Sequence, residues 1–491
     1  MNNLKSTISQ VIEENLISTE WSEEVNTEVK DLNLNTNDHP RNDLTKVPFV
    51  TIDGADAKDF DDAVFCNLND SGFLLNVAIA DVAELVNEDS YLDKEAKKRG
   101  TSIYFPSKVI PMLPEKISNN LCSLVPDEIR NVLVSEINFS LDGSIRSYKF
   151  FQAKIMSHKR MTYSEVEEYI KNKNSNVSKK IKTSLDALNL LTKNLLVKRS
   201  QRKALEIEGN EPILSIDENG KVSSIDLPRR LYAHQMIEES MLAANVCAAN
   251  FMHKHYKFGV YRVHEKPEEL KLESLKSFFS LKGFSSQNKD TPLTLINKCL
   301  QFSSKNKLNK VLQTVVLQSL KRAEYSIKEI GHFGLQLDRY SHFTSPIRRY
   351  PDLMAHRLIK NIINKSNLDI NKDKIEEICG EMSELERNAE KSSRQVVQQM
   401  ICHHLKKYIG HEFSSTVTGI TDFGLFAEID NFYVSGLIHV ADLPGDRYFY
   451  DKDANLLKGK RTGRVYRLGQ DIKIKIMNVL PSERKITLIP C

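Results

Sequence analysis

Apolar positions along this chain change their spacing three times. At the start, Ile8, Val11, Ile12 and Leu16 recur at three and four residues, the period of a helix with one buried face, and then give way to the polar stretch 33–40. Residues 1–44 therefore read as a helical arm and a linker. From 45 to about 157, short apolar runs at 47–52, 73–80, 102–105, 132–139 and 147–155 alternate with Gly, Pro and Asn/Asp punctuation, which predicts mainly β-sheet. Helical periodicity takes over between 160 and 405. Thr162-x-x-Glu165 reads as a capping box that opens a helix, and Leu185, Leu188, Leu191 and Leu195 form an amphipathic stripe. Residues 236–251, with Ala243, Ala244, Ala248 and Ala249, predict a tightly packed buried helix. Glu238 and Glu239 within it read as surface or capping charges, since most carboxylates lie at the surface. From about 410 the period returns to two, with short runs at 417–420, 425–429, 434–440, 472–476 and 485–488. Five short strands in so short a span predict a small barrel of the OB type. No internal repeat or low-complexity tract stands out.

Composition narrows the class without selecting a function. The chain has 491 residues, 27% charged and 40% apolar, ordinary values for a soluble globular protein, and its length suits about three domains. A net charge of +4 is only mildly basic, so any nucleic-acid contact must come from local patches such as Lys458-Gly-Lys460-Arg461-Thr-Gly-Arg464-Val-Tyr-Arg467. Seven scattered cysteines with no C-x-x-C pair fit reduced thiols in a cytosolic protein. The N-terminus lacks the apolar core of a signal peptide, and no apolar run approaches the roughly 18–20 residues of a membrane span. A cytoplasmic protein with no membrane partner is expected.

One segment carries chemistry. Five aspartates fall in Thr51-Ile-Asp53-Gly-Ala-Asp56-Ala-Lys-Asp59-Phe-Asp61-Asp62, directly after an apolar strand-like run. A generic acidic run is usually a solvated loop, but here a strand feeds the cluster and Phe60 and residues 63–65 make its surroundings apolar. Carboxylates so crowded repel one another unless cations lie between them. Hard divalent ions suit them, Mg2+ above all, because Mg2+ is held by one or two carboxylates plus waters and substrate phosphates. Phosphoryl-transfer chemistry follows as the first hypothesis. An EF-hand loop begun at Asp53 would need Gly at Lys58 and Glu at Val64, and one begun at Asp59 puts Ala63 and Val64 where a ligand and the Gly belong. No H-E-x-x-H, G-x-x-x-x-G-K or Cys/His zinc spacing occurs.

A second constellation lies far downstream, His342-Phe-Thr-Ser345-Pro-Ile-Arg348-Arg349-Tyr350-Pro-Asp352. Prolines on both sides stiffen the backbone that presents the two guanidinium groups, whose forks match phosphate oxygens. Taken alone, paired arginines are mostly surface ion-pair partners.

Together the two segments resemble the ribonuclease II/ribonuclease R family. Thr51 to Ala63 resembles its acidic catalytic motif and His342 to Asp352 its arginine motif. Gly100-Thr-Ser-Ile-Tyr104-Phe-Pro, Pro111-Met-Leu-Pro-Glu, Asn120-Leu-Cys-Ser-Leu and Gly331-His-Phe-Gly-Leu add four more segments in the family's order. The resemblance runs from about residue 45 to the C-terminus. It implies an α+β fold, an RNB-type catalytic domain of mixed sheet and helices over 45–405 followed by an all-β S1-type barrel over 408–491. It implies a processive 3'-to-5' exoribonuclease that hydrolyses single-stranded RNA to nucleoside 5'-monophosphates with Mg2+, or Mn2+ as the alternative ion. By the same resemblance Asp53, Asp59, Asp61 and Asp62 build the metal site, with Asp53 and Asp62 as direct ligands and Asp56 peripheral. Asp61 is the least replaceable carboxylate, Asp59 acts with it, and Arg348 clamps the scissile phosphate. Tyr104 stacks on the 3'-terminal base, Phe258 forms the other side of that clamp, and Arg349 is a further substrate contact. Glu390 is a weaker acidic candidate. In the barrel Phe423, Phe426 and His439 are the stacking candidates, Phe426 being the one expected to be buried, with help from the cations at 458–467.

Bacterial members of the family usually carry two cold-shock domains ahead of the catalytic domain, and about 44 residues cannot hold them. A Lys-rich tail is also missing. The resemblance so qualified implies retained chemistry with reduced affinity for long RNA. A monomer is expected, with single-stranded RNA and RNA-decay proteins as partners. Two rivals stay open: a non-catalytic RNA-binding protein that retains the fold, and an oligonucleotide phosphodiesterase of broader nucleic-acid range.

Overall fold

The structure, a computed structural model, describes residues 3–33, 41–173, 176–207, 211–285, 287, 289–305, 309–366, 370–451 and 456–491. Its first half is built on strands β1 (Asn42–Asp43), β2 (Phe49–Asp53), β3 (Asp62–Asn69), β4 (Gly72–Ala80), β5 (Ile103–Phe105), β6 (Lys108–Ile110), β7 (Ile129–Phe139) and β8 (Ile145–Thr162). Six of them form one sheet in the order β1-β8-β2-β3-β4-β7, and β7 also pairs with β8. The 18-residue β8 makes this closure. Its first part runs antiparallel to β7 as far as Met156, and its last part runs parallel to β2, setting Thr51 opposite Arg160 and Asp53 opposite Thr162. Between β2 and β3 the ladder is reduced to the pair Val50 and Val64. The two strands therefore splay, and the acidic segment occupies the fork.

Helices Lys179–Gln201, Tyr232–Tyr256 and Tyr350–Ile363 cover the sheet and share its core. The leucine stripe of the first is buried, and in the second Ala243, Ala244, Ala248 and Ala249 are at most 4% exposed, so small side chains let this helix lie close on the sheet. The expected capping box is present. Thr162 Oγ1 accepts from the Glu165 N–H, and Glu165 Oε2 accepts from the Thr162 N–H. Glu239 departs from expectation, because it is buried and its charge is met by Arg199 at 2.8 Å, whereas exposed Glu238 pairs with Arg230.

Helix Asn3–Glu14 lays Leu4, Ile8 and Val11 against Val396 and Met400 of the long helix Lys372–Leu405, so the arm is packed; Leu16 lies beyond that helix and is exposed. Of the expected linker, residues 34–40 lie outside the described residues. Helices Glu269–Ser280, Pro292–Ser304 and Asn309–Ser319 make a small core of their own around Phe279, Ile296 and Leu312. At the C-terminal end, Glu412–Thr421, Gly424–Ile429, Val434–His439, Lys485–Pro490 and Asp471–Leu480 close a five-stranded barrel. Alternation points Leu425, Ala427 and Ile429 inward and leaves Phe426 half-buried on the outer face, which corrects its expected burial. A separate three-stranded sheet, Tyr448–Asp451, Leu456–Gly459 and Val465–Arg467, sits beside the barrel. The chain is thus α+β, a mixed sheet-and-helix body followed by an all-β barrel. Its seven cysteines are unpaired, and among the described residues no helix is long and apolar enough to cross a membrane.

Candidate active site

Asp53 ends β2 and Asp62 begins β3, so the splayed fork sets these carboxylates on its two arms. The loop between them is held from outside. Arg160 on β8 donates to the carbonyl oxygens of Gly54, Ala55 and Ala57 at 3.1, 2.5 and 3.4 Å. On the other side Ser123 Oγ accepts from the Phe60 N–H at 3.0 Å and donates to the Lys58 carbonyl at 2.7 Å. The Asn120-Leu-Cys-Ser-Leu segment is therefore a brace for the acidic loop.

The arginine turn docks directly onto this loop. Asp61, 4% exposed, accepts from the Ile347 N–H at 2.9 Å through Oδ1, and its Oδ2 lies 3.4 Å from Arg348 Nε. The Gly100-to-Tyr104 segment clasps the same turn, with the Ser102 N–H and Thr101 Oγ1 both donating to the Arg348 carbonyl at 3.0 Å. Tyr104 closes the circuit by donating its hydroxyl to Asp59 Oδ2 at 3.0 Å. Asp53, Asp59, Asp61, Asp62, Tyr104 and Arg348 thus form one constellation from three distant stretches of chain.

Burial pushes the Asp61 carboxyl well above the usual carboxylate range, although Arg348 and the Ile347 N–H pull it down. Burial, followed by repulsion from Asp53, raises Asp62 to about 7. Asp53 is raised by burial too, partly offset by the Gly54 N–H and Arg348. Ionising these buried carboxyls is costly in the free protein, and a divalent cation between them would offset that cost. Among the described residues no three His, Cys, Asp or Glu side chains make a ready ligand cluster.

Several expected residues stand elsewhere. Phe258, 5% exposed, packs in the main core with its ring 5.7 Å from Tyr256, so it has no free face for a base; the residue follows a helix C-cap, and its ring completes the core beneath. Arg349 is turned inward, donating to fully buried Asp352 at 2.8 Å, and stabilises the turn that presents Arg348. Asp352 also accepts from the Ser345 N–H. Glu390 is an exposed partner of Arg394 on the long helix. Asp56 is exposed at the loop's edge. Phe423 and His439 belong to the barrel, where Phe423 is 46% exposed.

Arg160, Ser123 and Tyr163 were not identified from sequence. The Tyr163 ring stacks on His234 with centroids 4.0 Å apart, and burial together with the charges of Asp53 and Asp62 raises its phenol. Arg160 and Tyr163 reach the site only because β8 pairs in parallel with β2, a long-range register that no local pattern encodes.

The fold and the site define an RNB-type body carrying an S1-type barrel. Residues 41–365 match the RNB domain and residues 406–488 the S1 RNA binding domain. Ribonuclease R of Vibrio parahaemolyticus serotype O3:K6 is 37% identical over 96% of this chain, and ribonuclease R of Buchnera aphidicola subsp. Acyrthosiphon pisum is 38% identical over 96% of it. The chain spans 59% of the Vibrio protein's length and 68% of the Buchnera protein's. The apo form of Mycoplasma genitalium RNase R superposes with a TM-score of 0.95 at 31% identity, covering 100% of this chain and 78% of that one. The same protein in complex with ribose methylated single-stranded RNA gives 0.94 at 31% identity with the same coverage. This chain belongs to the ribonuclease R family of RNB-domain proteins.

Proposed function

We propose that this chain is a processive 3'-to-5' exoribonuclease that hydrolyses single-stranded RNA to nucleoside 5'-monophosphates with Mg2+. The observation that carries the reading is the junction of Asp61 with the arginine turn, where one buried carboxylate accepts from the Ile347 N–H and faces Arg348. A protein that kept the fold only to bind RNA has no need to keep a buried, electrostatically costly carboxylate cluster intact. Asp53 and Asp62 would hold the metal, with Asp59 and Asp61 completing the acidic wall. When bound, it supplies Lewis-acid stabilisation of charge developing on the scissile phosphate. Arg348 binds that phosphate in a guanidinium fork, and its contact with Asp61 fixes the fork's direction. Tyr104 offers a half-exposed ring to the 3'-terminal base while its hydroxyl is anchored on Asp59. A π-face accepts every base, as an exonuclease requires. The preference for RNA draws support from the S1 RNA binding domain and from the ribose methylated single-stranded RNA bound by the Mycoplasma relative.

The test is direct. Single-stranded RNA and DNA labelled at the 5' end are incubated with Mg2+ and wild-type protein or Asp61→Asn. Ladders shortening from the 3' end of RNA are expected from the wild type and not from the variant. Intact RNA in the wild-type lane refutes the reading, and equal degradation of DNA favours the broader phosphodiesterase.

A further inference from the structure

The sheet formed by Tyr448–Asp451, Leu456–Gly459 and Val465–Arg467 has two unlike faces. Register aligns Tyr450, Leu457 and Tyr466 in one row, and Leu457 and Tyr466 are fully buried against the barrel. The neighbouring row, Phe449, Lys458 and Val465, points the other way. Phe449 is 41% exposed there, an aromatic ring partly presented to water. Around it Arg447, Lys458, Lys460 and Arg467 are all exposed, and among the described residues their side chains have no hydrogen-bond or ion-pair partner. Asp451 is the one carboxylate in these strands, and register sets it on this same face in one row with Leu456 and Arg467. The hairpin that carries the cations is fixed in shape, because Asp446 Oδ2 accepts from the Arg461 N–H at 2.9 Å, the Thr462 N–H at 2.6 Å and the Thr462 hydroxyl at 2.8 Å.

We infer that this face is a second single-stranded RNA platform, on which a base stacks on Phe449 while Arg447, Lys458, Lys460 and Arg467 bind the flanking phosphates. An exposed ring among four cations and a single carboxylate is the complement of a single strand, which offers π-faces and phosphates in alternation. Phe449 belongs to this added sheet, whereas Phe423 lies in the turn between two barrel strands and His439 ends a third. The inference rests on the exoribonuclease reading for its substrate: RNA whose 3' end lies at Asp61 and Tyr104 has upstream nucleotides that need support.

Binding to the full chain is measured by fluorescence anisotropy in EDTA, with 5'-fluorescein oligouridylates of about 5 and about 20 nucleotides. Phe449→Ala is expected to weaken the long oligomer about ten-fold and the short one less than about two-fold, and Phe449→Trp to restore the long one. Lys458→Glu with Lys460→Glu is expected to flatten the salt dependence of long-oligomer binding by about 0.7 per lost phosphate contact. Unchanged long-oligomer affinity in both variants, or equal losses at both lengths, overturns the platform. Wild-type protein that leaves RNA intact in Mg2+ refutes the exoribonuclease reading, while the EDTA titration still decides the platform.

Discussion

The acidic site and the S1-type barrel handle polar groups in opposite ways. In the acidic site Asp61 is 4% exposed, its oxygens are met by Ile347 and Arg348 from a segment 286 residues further along the chain, and the carboxylates here are pushed toward their neutral forms. In the barrel Phe423 is 46% exposed with a T-shaped neighbour, Phe426, and exposed His439 caps the backbone of Ala441 two residues on. The first arrangement is over-determined and held at a cost in charge burial. The second is built from side chains that each stand on local support. Chemistry at phosphorus needs groups preorganised where charge develops, while holding a strand needs area and charge that sum. The acidic site should therefore fail as a unit, and the barrel by increments.

Asp61→Asn should show the largest effect. Asn preserves the shape and still accepts from the Ile347 N–H, but it removes the charge that faces Arg348 and a bound cation. Turnover on single-stranded RNA is expected to fall by roughly 1,000-fold or more, with RNA affinity in EDTA near wild type. Single-turnover rates beside anisotropy check this, and a fall in affinity that matches the fall in rate would make Asp61 a binding group instead. Arg348→Lys should follow at roughly 100-fold, because an ammonium keeps the charge but cannot present a planar fork to the phosphate while facing Asp61.

Arg160→Ala probes the same site without touching its reactive groups. Three carbonyls of the acidic loop lose their donor, so Asp53 and Asp59 are less well placed. About a ten-fold higher Mg2+ requirement is expected, with turnover at saturating Mg2+ recovering most of its wild-type value. Titration of rate against Mg2+, with Mg2+ binding followed by calorimetry, distinguishes this from a general loss of folding, which saturating metal would not repair.

The charge burial also has a pH signature. Asp62 is raised to about 7 in the fold, from an ordinary value near 4. Between those values the folded protein holds a proton that the unfolded chain releases, so this group's contribution is present below about pH 4 and lost as pH rises toward 7. In EDTA the melting temperature should fall between about pH 4 and pH 7 and this group's effect level off above that, and Asp62→Asn should flatten that fall and raise the pH 8 value by about 2 °C or more. Mg2+ should stabilise wild type at pH 8 and leave the variant nearly unmoved. A steeper fall in the variant would show that Asp62 is ionised in the free fold.

Much of this was legible in the chain because the signals are local. The strand before Asp53, the capping box at Thr162, the alanine-rich helix and the five barrel strands each declare themselves within about a dozen residues. The acidic and arginine segments were legible as chemistry for the same reason. Long-range register was not legible: the parallel pairing of β8 with β2 brings Arg160 and Tyr163 to the acidic loop, and nothing near those residues announces it. Direction of side chains was read less well than identity. Phe258 and Arg349 are the right residue types for a clamp, yet one completes the core and the other spends its fork on Asp352. Phe426 and Glu239 erred in opposite senses, an apolar ring left outside and a carboxylate taken inside with Arg199.

The smallest effect is the one that bears most directly on the contrast between the two regions. Phe423→Ala removes a half-exposed ring with no hydrogen bond to lose, so RNA binding should weaken only about five-fold, with turnover at saturating RNA unchanged. Combined with Arg348→Lys, its effect should add to within about 0.5 kcal/mol, because the two share no partner. Tyr104→Phe with Asp59→Asn should not add, since either change alone breaks the 3.0 Å contact between them. Two cycles of steady-state kinetics thus measure whether the acidic site behaves as a unit and the barrel as a sum. Coupling between Phe423 and Arg348 as large as that between Tyr104 and Asp59 would mean that RNA held on the barrel organises the acidic site, and the two regions would then act as one.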